Sequence, residues 1–339
     1  MRSQTLPRVG IIGAGAIGCT LAARFANGGC DVKLAARAEA AATIRRQGLH
    51  LTASGTEIAA QVAVAKSPQD LLDRDYVFIA VKQQALLAAV RDWLPKLPET
   101  VVVIPAINGI PWWFLPNAQA SSTPSGKTPE VELAALLPAA QILGTAVYLT
   151  AYSTAHGVAV QGTRNRLIIG ELDGSSSARA EVLKTTCMAA GMDCDISTAI
   201  RLDVWMKAVG NAVFNPLSVL SGGDMASMLA DEHISELALH MLRESLALGR
   251  RIGLPIDSSA EERLERARSA GNAQTSMLQD YLKGKPLEVE AIIGAMVRLG
   301  RQYETKMPFT EAIYGLVRSA SLNNPFLRTT SNTTEEKTK

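Results

Sequence analysis

Short apolar runs alternate with stretches of helical periodicity through the first half of the chain. Residues 8–13 (RVGIIG) form a β-branched apolar run of the kind that makes a strand buried on both faces. Residues 16–27 then read as a helix, and Gly28-Gly29 stops it. Residues 31–36 (DVKLAA) predict a second strand, and 38–47 predict a helix ending at Gly48. Residues 49–64 read as a strand pair turning at Ser54-Gly55. A buried strand follows at 75–81, a helix at 84–94 and a strand at 100–104. This alternation predicts a parallel sheet with helices on both faces.

The pattern breaks down between residues 115 and 139, where 121–126 (SSTPSG) predict a mobile loop or insertion. Order returns in three strand-like runs at 142–149, 157–161 and 166–169, followed by a helix at 178–190 and a short strand at 192–196. After about residue 197 helical periodicity dominates to about residue 320, with loops near Gly222-Gly223, Gly253-Leu254-Pro255 and 283–286 (KGKP). The expected organisation is therefore an α/β domain over residues 1–197, a helical domain over 198–325, and a polar tail at 326–339 expected to be disordered.

Composition narrows the function. The chain has 339 residues, 47% of them hydrophobic and 19% charged, enough for two globular cores. A formal charge of +2 gives no reason to expect nucleic acid or a membrane as partner, while a small anionic ligand needs only a local positive site. The uncharged stretch 100–126 is broken by Pro, Asn and Ser, so it is no membrane helix. Residues 1–8 run straight into a strand instead of a signal-peptide core, and a cytoplasmic protein is expected. Cys19, Cys30, Cys187 and Cys194 form no CxxC pair, and the four His form no HxxxH. Buried reduced thiols and no metal site are the expectation.

The chemistry begins at Gly13-Ala14-Gly15-Ala16-Ile17-Gly18, a GxGxxG loop between a predicted strand and a predicted helix. Gly13 permits a tight turn, Gly15 lets backbone approach a pyrophosphate, and Gly18 packs helix on strand. The helix start at Ala16 and Ile17 offers free N–H groups and a positive dipole end to phosphates. An NAD site usually carries an acidic residue at the end of the second strand, but Ala35-Ala36-Arg37 stands here. An arginine pairs with a 2′-phosphate that a carboxylate would repel, so NADP(H) is the expected cofactor, with Arg37 on the 2′-phosphate. Lys82 follows a buried strand whose C-terminus faces the ligand crevice of a parallel sheet, within reach of cofactor or an anionic substrate.

A second group lies in the helical half. Lys207, Asn211 and Asn215 recur at i, i+4 and i+8, and each step of four drifts only about 40° around a helix. Asparagine is a poor helix former that gains little on an apolar face without a partner. The strip therefore lines a cavity or belongs to a hydrogen-bonded network between helices. In a cavity, the lysine can donate a proton to a carbonyl oxygen as hydride reaches the carbon. Ser276 offers a small donor further on. Glu288 and Glu290 are both placed to accept from a substrate hydroxyl or to orient Lys207, and spacing alone does not choose between them.

Taken together, these motifs resemble the ketopantoate reductase (2-dehydropantoate 2-reductase) family from about residue 8 to 320. The carriers are the GAGAIG loop, the strand ending in Arg37, Phe78-Ile79-Ala80-Val81-Lys82, and Ile107-Asn108-Gly109, with Ile in place of the family's Gln. Further on are Lys207-x3-Asn211-x3-Asn215-Pro216-Leu217, Thr275-Ser276-Met277-x-Gln279-Asp280 and the run from Leu287 to Gly294. The resemblance implies a Rossmann-type doubly wound domain followed by an all-α domain similar to the C-terminal domain of 6-phosphogluconate dehydrogenase. It implies NADPH-dependent reduction of ketopantoate to pantoate, a step of pantothenate biosynthesis. Lys207 would then be the general acid, and Glu288, selected over Glu290, would bind the substrate's terminal hydroxyl and help place Lys207. Asn211, Asn215 and Ser276 would hold the substrate, and Asn108 would sit beside nicotinamide and substrate.

Two departures bear on the substrate. Met225 stands where some members carry a further substrate-contacting Asn, and Ile110-Pro111-Trp112-Trp113-Phe114 is bulkier than the family's short glycine-rich sequence. The tryptophans either reshape the pocket or belong to a core or interface. The alternatives are a reductase of another branched or aromatic 2-keto acid, and a nucleotide-binding sensor without turnover. The intact Lys207, Asn211, Asn215 and Glu288 count against the sensor. A helical second domain often supplies a dimer surface, so a homodimer fits the chain.

Overall fold

The computed structural model describes residues 6–115 and 129–326. Its first elements alternate as the apolar pattern requires: β1 (Val9–Ile12), α1 (Ala16–Asn27), β2 (Val32–Ala35), α2 (Ala38–Gln47), β3 (Leu49–Ala53), β4 (Thr56–Ala60), β5 (Ala63–Ala65), β6 (Tyr76–Ile79), α3 (Gln83–Trp93) and β7 (Val102–Pro105). Five of these strands form a parallel sheet in the order β5-β2-β1-β6-β7. Val9 stands in register with Val32 on one side and Tyr76 on the other. Every residue of β1, β6 and β7 is buried, which is why these strands read as unbroken apolar runs. The chain builds outward from β1 to β5, then returns to β6 on the other side of β1. The switch point therefore lies between β1 and β6, where sheets of this kind bind ligands beyond the strand C-termini.

A second sheet was not legible as such. It runs β10-β9-β3-β4, with β8 (Gly144–Ala155) also paired to β9 (Val158–Gly170); α5 (Ala178–Ala189) leads into β10 (Asp193–Ile196). The expected strands at 157–161 and 166–169 are one strand, β9, because its middle, Gly162 to Arg164, is exposed and polar and interrupts the apolar pattern. The expected pair at 49–64 divides. β3 and β4 form the hairpin, turning through Ser54 (φ 50°) and Gly55 (φ 77°), the positive values that tight hairpin turns favour. β5 leaves it to edge the parallel sheet beside β2. A helix, α4 (Pro129–Leu136), occupies part of the stretch where no pattern is evident, and the loop expected at 121–126 lies outside the described residues.

Helix α1 is buried nearly all round, at Gly18, Cys19, Thr20, Leu21, Ala22, Ala23 and Phe25. A helix with small apolar residues on every side belongs inside a fold. It packs against strands of both sheets and shares one core with Phe78, Ile104, Leu167, Ile169, Leu183 and Cys187. All four cysteines are buried thiols, and burial pushes the Cys19 thiol up to about 11.

One ion pair closes this core's rim. Arg179 donates from Nε to Glu171 Oε1 at 2.7 Å and from Nη2 to Glu171 Oε2 at 2.5 Å, and its Nη1 reaches the Ala140 carbonyl at 2.6 Å. These bonds from Arg179 hold the Glu171 carboxyl below its ordinary 4.5. A lowered folded-state value stabilises above the ordinary value and ceases to do so as pH falls through it. Glu171→Gln is therefore expected to lower the thermal midpoint at pH 7, and the gap from wild type should shrink below pH 4.5. A gap that stays constant from pH 7 to 3.5 rejects the ion pair as its source.

The remaining elements are helical: α6 (Ile200–Ser221), α7 (Met225–Ala230), α8 (Glu232–Arg251), α9 (Ala260–Arg268), α10 (Ser276–Leu282), a π turn (Glu290–Gly294), α11 (Ala295–Gln302) and α12 (Pro308–Leu322). Side-chain caps mark their starts: Asp224, Asp231, Ser259 and Thr275 accept backbone N–H bonds at α7, α8, α9 and α10. Two compact units result, Met1–Val204 and Trp205–Lys339. The first turn of α6 belongs to the earlier unit because Ile200 covers Gly144 and Gly170, where an added Cβ would meet it at 3.0 and 3.1 Å. In the later unit, Trp205 of α6 is fully buried against Gly249 of α8. Phe326 lies edge-on to Tyr281 with ring centroids 6.0 Å apart, and the rest of the expected tail lies outside the described residues.

Candidate active site

The candidate residues fall into two groups, one in each unit. In the first unit, four adjacent parallel strands each deliver a residue at their C-terminal end. β1 leads into Gly13, β2 into Arg37, β6 into Lys82, and β7 into Asn108. Gly13 adopts φ +112°, and a Cβ there would stand 2.8 Å from the Ala80 carbonyl oxygen. Gly18 abuts the Gly13 carbonyl oxygen, which an added Cβ would overlap. Gly15 is different: it caps α1, is exposed, and would meet nothing within 4 Å. The loop is thus shaped by backbone packing at two glycines and left open at the third, beside the N-terminus of α1. That combination fits a dinucleotide pyrophosphate.

Arg37 caps α2 with extended backbone, is exposed, and makes no side-chain hydrogen bond or ion pair among the described residues. Lys82 is exposed at the cap of α3. Asn108 is half-buried in the turn after β7, followed by Gly109 at φ +81°. The bulky residues beyond it, Trp112, Trp113 and Phe114, are buried core residues at 3%, 5% and 2% exposure. Arg201 donates to the Phe114 carbonyl and pins their turn to the start of α6.

In the second unit, α6 carries Lys207 and Asn211, both half-buried, and Asn215, 5% exposed. The Asn215 Nδ2 is buried and has no hydrogen-bond partner among the described residues. Pro216 follows inside the helix, where it removes a ladder N–H and crowds the carbonyl four residues back. Arg263 of α9 donates to the Met206 carbonyl at 2.8 Å, one residue before Lys207. The Ser218 hydroxyl, fully buried, lies 2.6 Å from Thr275 Oγ1, the cap of α10. Ser276 is the first residue of that helix, so the fold brings the Asn215 and Ser276 segments together. Ser218 was not singled out from sequence. The available signal was a hydroxyl among Phe214, Leu217 and Val219 on a buried helix.

The two glutamates differ. Glu290 is exposed and accepts from the Tyr314 hydroxyl at 2.9 and 3.0 Å, with Arg298 at 3.4 Å and Arg318 at 3.7 Å. Glu288 is half-buried, just ahead of the π turn, a helix irregularity frequent at functional sites. Met225 opens α7 with its side chain buried, and its N–H donates to the Ala273 carbonyl. Among the described residues there is no cluster of three or more metal-ligating side chains and no helix long and apolar enough to cross a membrane.

A doubly wound parallel sheet with a GxGxxG loop at a helix start makes a dinucleotide-binding unit, and two family matches make the chain a pyridine-nucleotide-dependent oxidoreductase acting on CH–OH groups. Residues 9–174 match the family model "Ketopantoate reductase PanE/ApbA" and residues 199–321 match "Ketopantoate reductase PanE/ApbA C terminal". The chain belongs to the ketopantoate reductase family. It is 32% identical to the 2-dehydropantoate 2-reductase of Mesorhizobium japonicum, across 92% of this chain and 97% of that one. A solved structure from Ralstonia solanacearum, provisionally described as a ketopantoate reductase, is 33% identical, covers 94% of this chain and 99% of its own, and superposes with TM-score 0.86. D-mandelate dehydrogenase, solved with NADH and anilino(oxo)acetate, shares the fold at 21% identity and TM-score 0.79, over 93% of this chain and 99% of that one.

Proposed function

We propose that this chain reduces 2-dehydropantoate (ketopantoate) to pantoate with NADPH, a step toward pantothenate. The observation that carries the reading is the buried Asn215 Nδ2, without a hydrogen-bond partner among the described residues, on the helix face that bears Lys207 and Asn211. A buried donor without an acceptor costs about 1–3 kcal/mol, a cost that a polar ligand offsets. The relative from Mesorhizobium japonicum, similar over nearly its whole length, supports the same substrate.

Gly13, Gly15, Ala16, Ile17 and Gly18 would hold the pyrophosphate, with Arg37, Lys82 and Asn108 along the same strand edge. When bound, the reduced nicotinamide supplies a hydride for the 2-carbonyl carbon. Lys207 would donate a proton from Nζ to the carbonyl oxygen. Asn108, Asn211, Asn215 and Ser276 would hold the substrate's polar groups. Glu288 would accept from the terminal hydroxyl and help place Lys207; Glu290 is engaged with Tyr314, Arg298 and Arg318 and takes no part.

The test is NADPH oxidation against a panel of 2-keto acids. Ketopantoate is expected to turn over best. Ketopantoate at background beside rapid turnover of a branched or aromatic keto acid would move the assignment to that acid. The exposed guanidinium of Arg37, unpaired among the described residues, supports NADP(H). Arg37→Ala should weaken NADPH at least tenfold more than NADH, the scale of a lost charge-assisted bond of about 1.5–3 kcal/mol. Equal loss of both nucleotides, read by fluorescence titration, removes Arg37 from the 2′-phosphate.

A further inference from the structure

Ser218 lies three residues after Asn215 and is fully buried. Its Oγ donates to the Asn215 carbonyl at 2.8 Å and also lies 2.6 Å from Thr275 Oγ1. Each hydroxyl has one proton. Ser218 spends its proton on a carbonyl, which can only accept, so Thr275 supplies the proton of the 2.6 Å bond. Thr275 Oγ1 in turn accepts from the Leu278 N–H at 3.2 Å, which can only donate. Both ends are fixed, so the chain has one direction: Leu278 N–H to Thr275, Thr275 to Ser218, Ser218 to the Asn215 carbonyl.

This chain adjoins a break in the helix ladder. Pro216 has no N–H, so the Ala212 carbonyl loses its ordinary donor in the turn that ends at Asn215 and Pro216. The bond from Ser218 adds a restraint to the next turn, from Asn215 to Ser218. At the other end, Thr275 adjoins Ser276, the first residue of α10. A shift at either hydroxyl moves both segments.

We infer that Ser218 is a positioning residue that, through Thr275, holds Asn215 and Ser276 in fixed relation to grip the oxygen atoms of one 2-keto acid. The inference rests on the substrate roles proposed above for those two residues.

The test is a double-mutant cycle of Ser218→Ala and Ser276→Ala, with steady-state kinetics on ketopantoate or the best acid of the panel. Ser218→Ala is expected to raise KM about tenfold, the scale of an orphaned buried group, with kcat and NADPH affinity changed less than threefold. Ser276→Ala should lower kcat/KM about tenfold, and adding Ser218→Ala to it should cost at most threefold more, because the two act as a unit. Thr275→Val breaks the same chain at its less buried joint and should reproduce the KM rise even where Ser218→Ala folds poorly. Ser218→Thr, which keeps the hydroxyl, should restore KM. Fully multiplicative losses, or an unchanged KM in both Ser218→Ala and Thr275→Val, overturn the inference while leaving the substrate roles standing. An unaltered kcat/KM in Ser276→Ala overturns the substrate role of Ser276 and the inference with it.

Discussion

Lys207→Ala is expected to lower turnover of the 2-keto acid by at least ~100-fold, the scale of general acid catalysis. The helix should survive, because alanine is the best helix former and Lys207 is only half-buried. Nucleotide affinity should stay near wild type, since the residues proposed to hold the dinucleotide belong to the other unit. Single-turnover kinetics at saturating NADPH separate these effects. A variant that binds both ligands and turns over normally removes Lys207 from proton transfer.

The second large effect comes from comparing two glycines of one loop. A Cβ at position 18 overlaps the Gly13 backbone oxygen, and no side-chain rotation relieves it. Gly18→Ala should therefore lower both the thermal midpoint and NADPH affinity, with overpacking strain of about 1–3 kcal/mol. A Cβ at position 15 meets nothing within 4 Å, and Gly15 already has φ −79°, which alanine adopts freely. Gly15→Ala should leave the thermal midpoint unchanged and weaken NADPH roughly 10- to 100-fold, because the new methyl occupies space where the pyrophosphate approaches. Wild-type nucleotide affinity in Gly15→Ala would show that the open face of the loop carries no phosphate.

What the sequence revealed depended on how local each cause is. Helices α1 and α2 match their expected bounds because glycines stop both of them within one turn. Arg37, Lys82 and Asn108 stand at one sheet edge because parallel strands all end there. The second sheet escaped notice because β9 is exposed and polar in its middle, and because β3 and β9 meet only after about a hundred intervening residues. Glu288 and Glu290 were equivalent by spacing. The resemblance favoured Glu288, and the placement of Tyr314, Arg298 and Arg318 around Glu290 separates the two physically. Trp112 and Trp113 posed the opposite problem: large aromatics beside a predicted site invite a role in specificity, but burial makes them core. Ser218 gives no sequence signal beyond being a hydroxyl on an apolar helix, since its partner Thr275 lies 57 residues away.

Helix α1, enclosed by strands of both sheets, has one further consequence. The end of it that would meet the dinucleotide is the tip of the unit's central rod, not a surface appendage. Its N–H groups are held in place before any ligand arrives, so little ordering entropy is lost on association. The same arrangement makes cofactor occupancy and the integrity of the whole first unit thermodynamically linked. At a hundredfold excess over its dissociation constant, a ligand that binds only the folded form adds about 2.7 kcal/mol to the unfolding free energy. In a cell, the free cofactor concentration relative to its dissociation constant would then govern how long the chain survives as well as how fast it works.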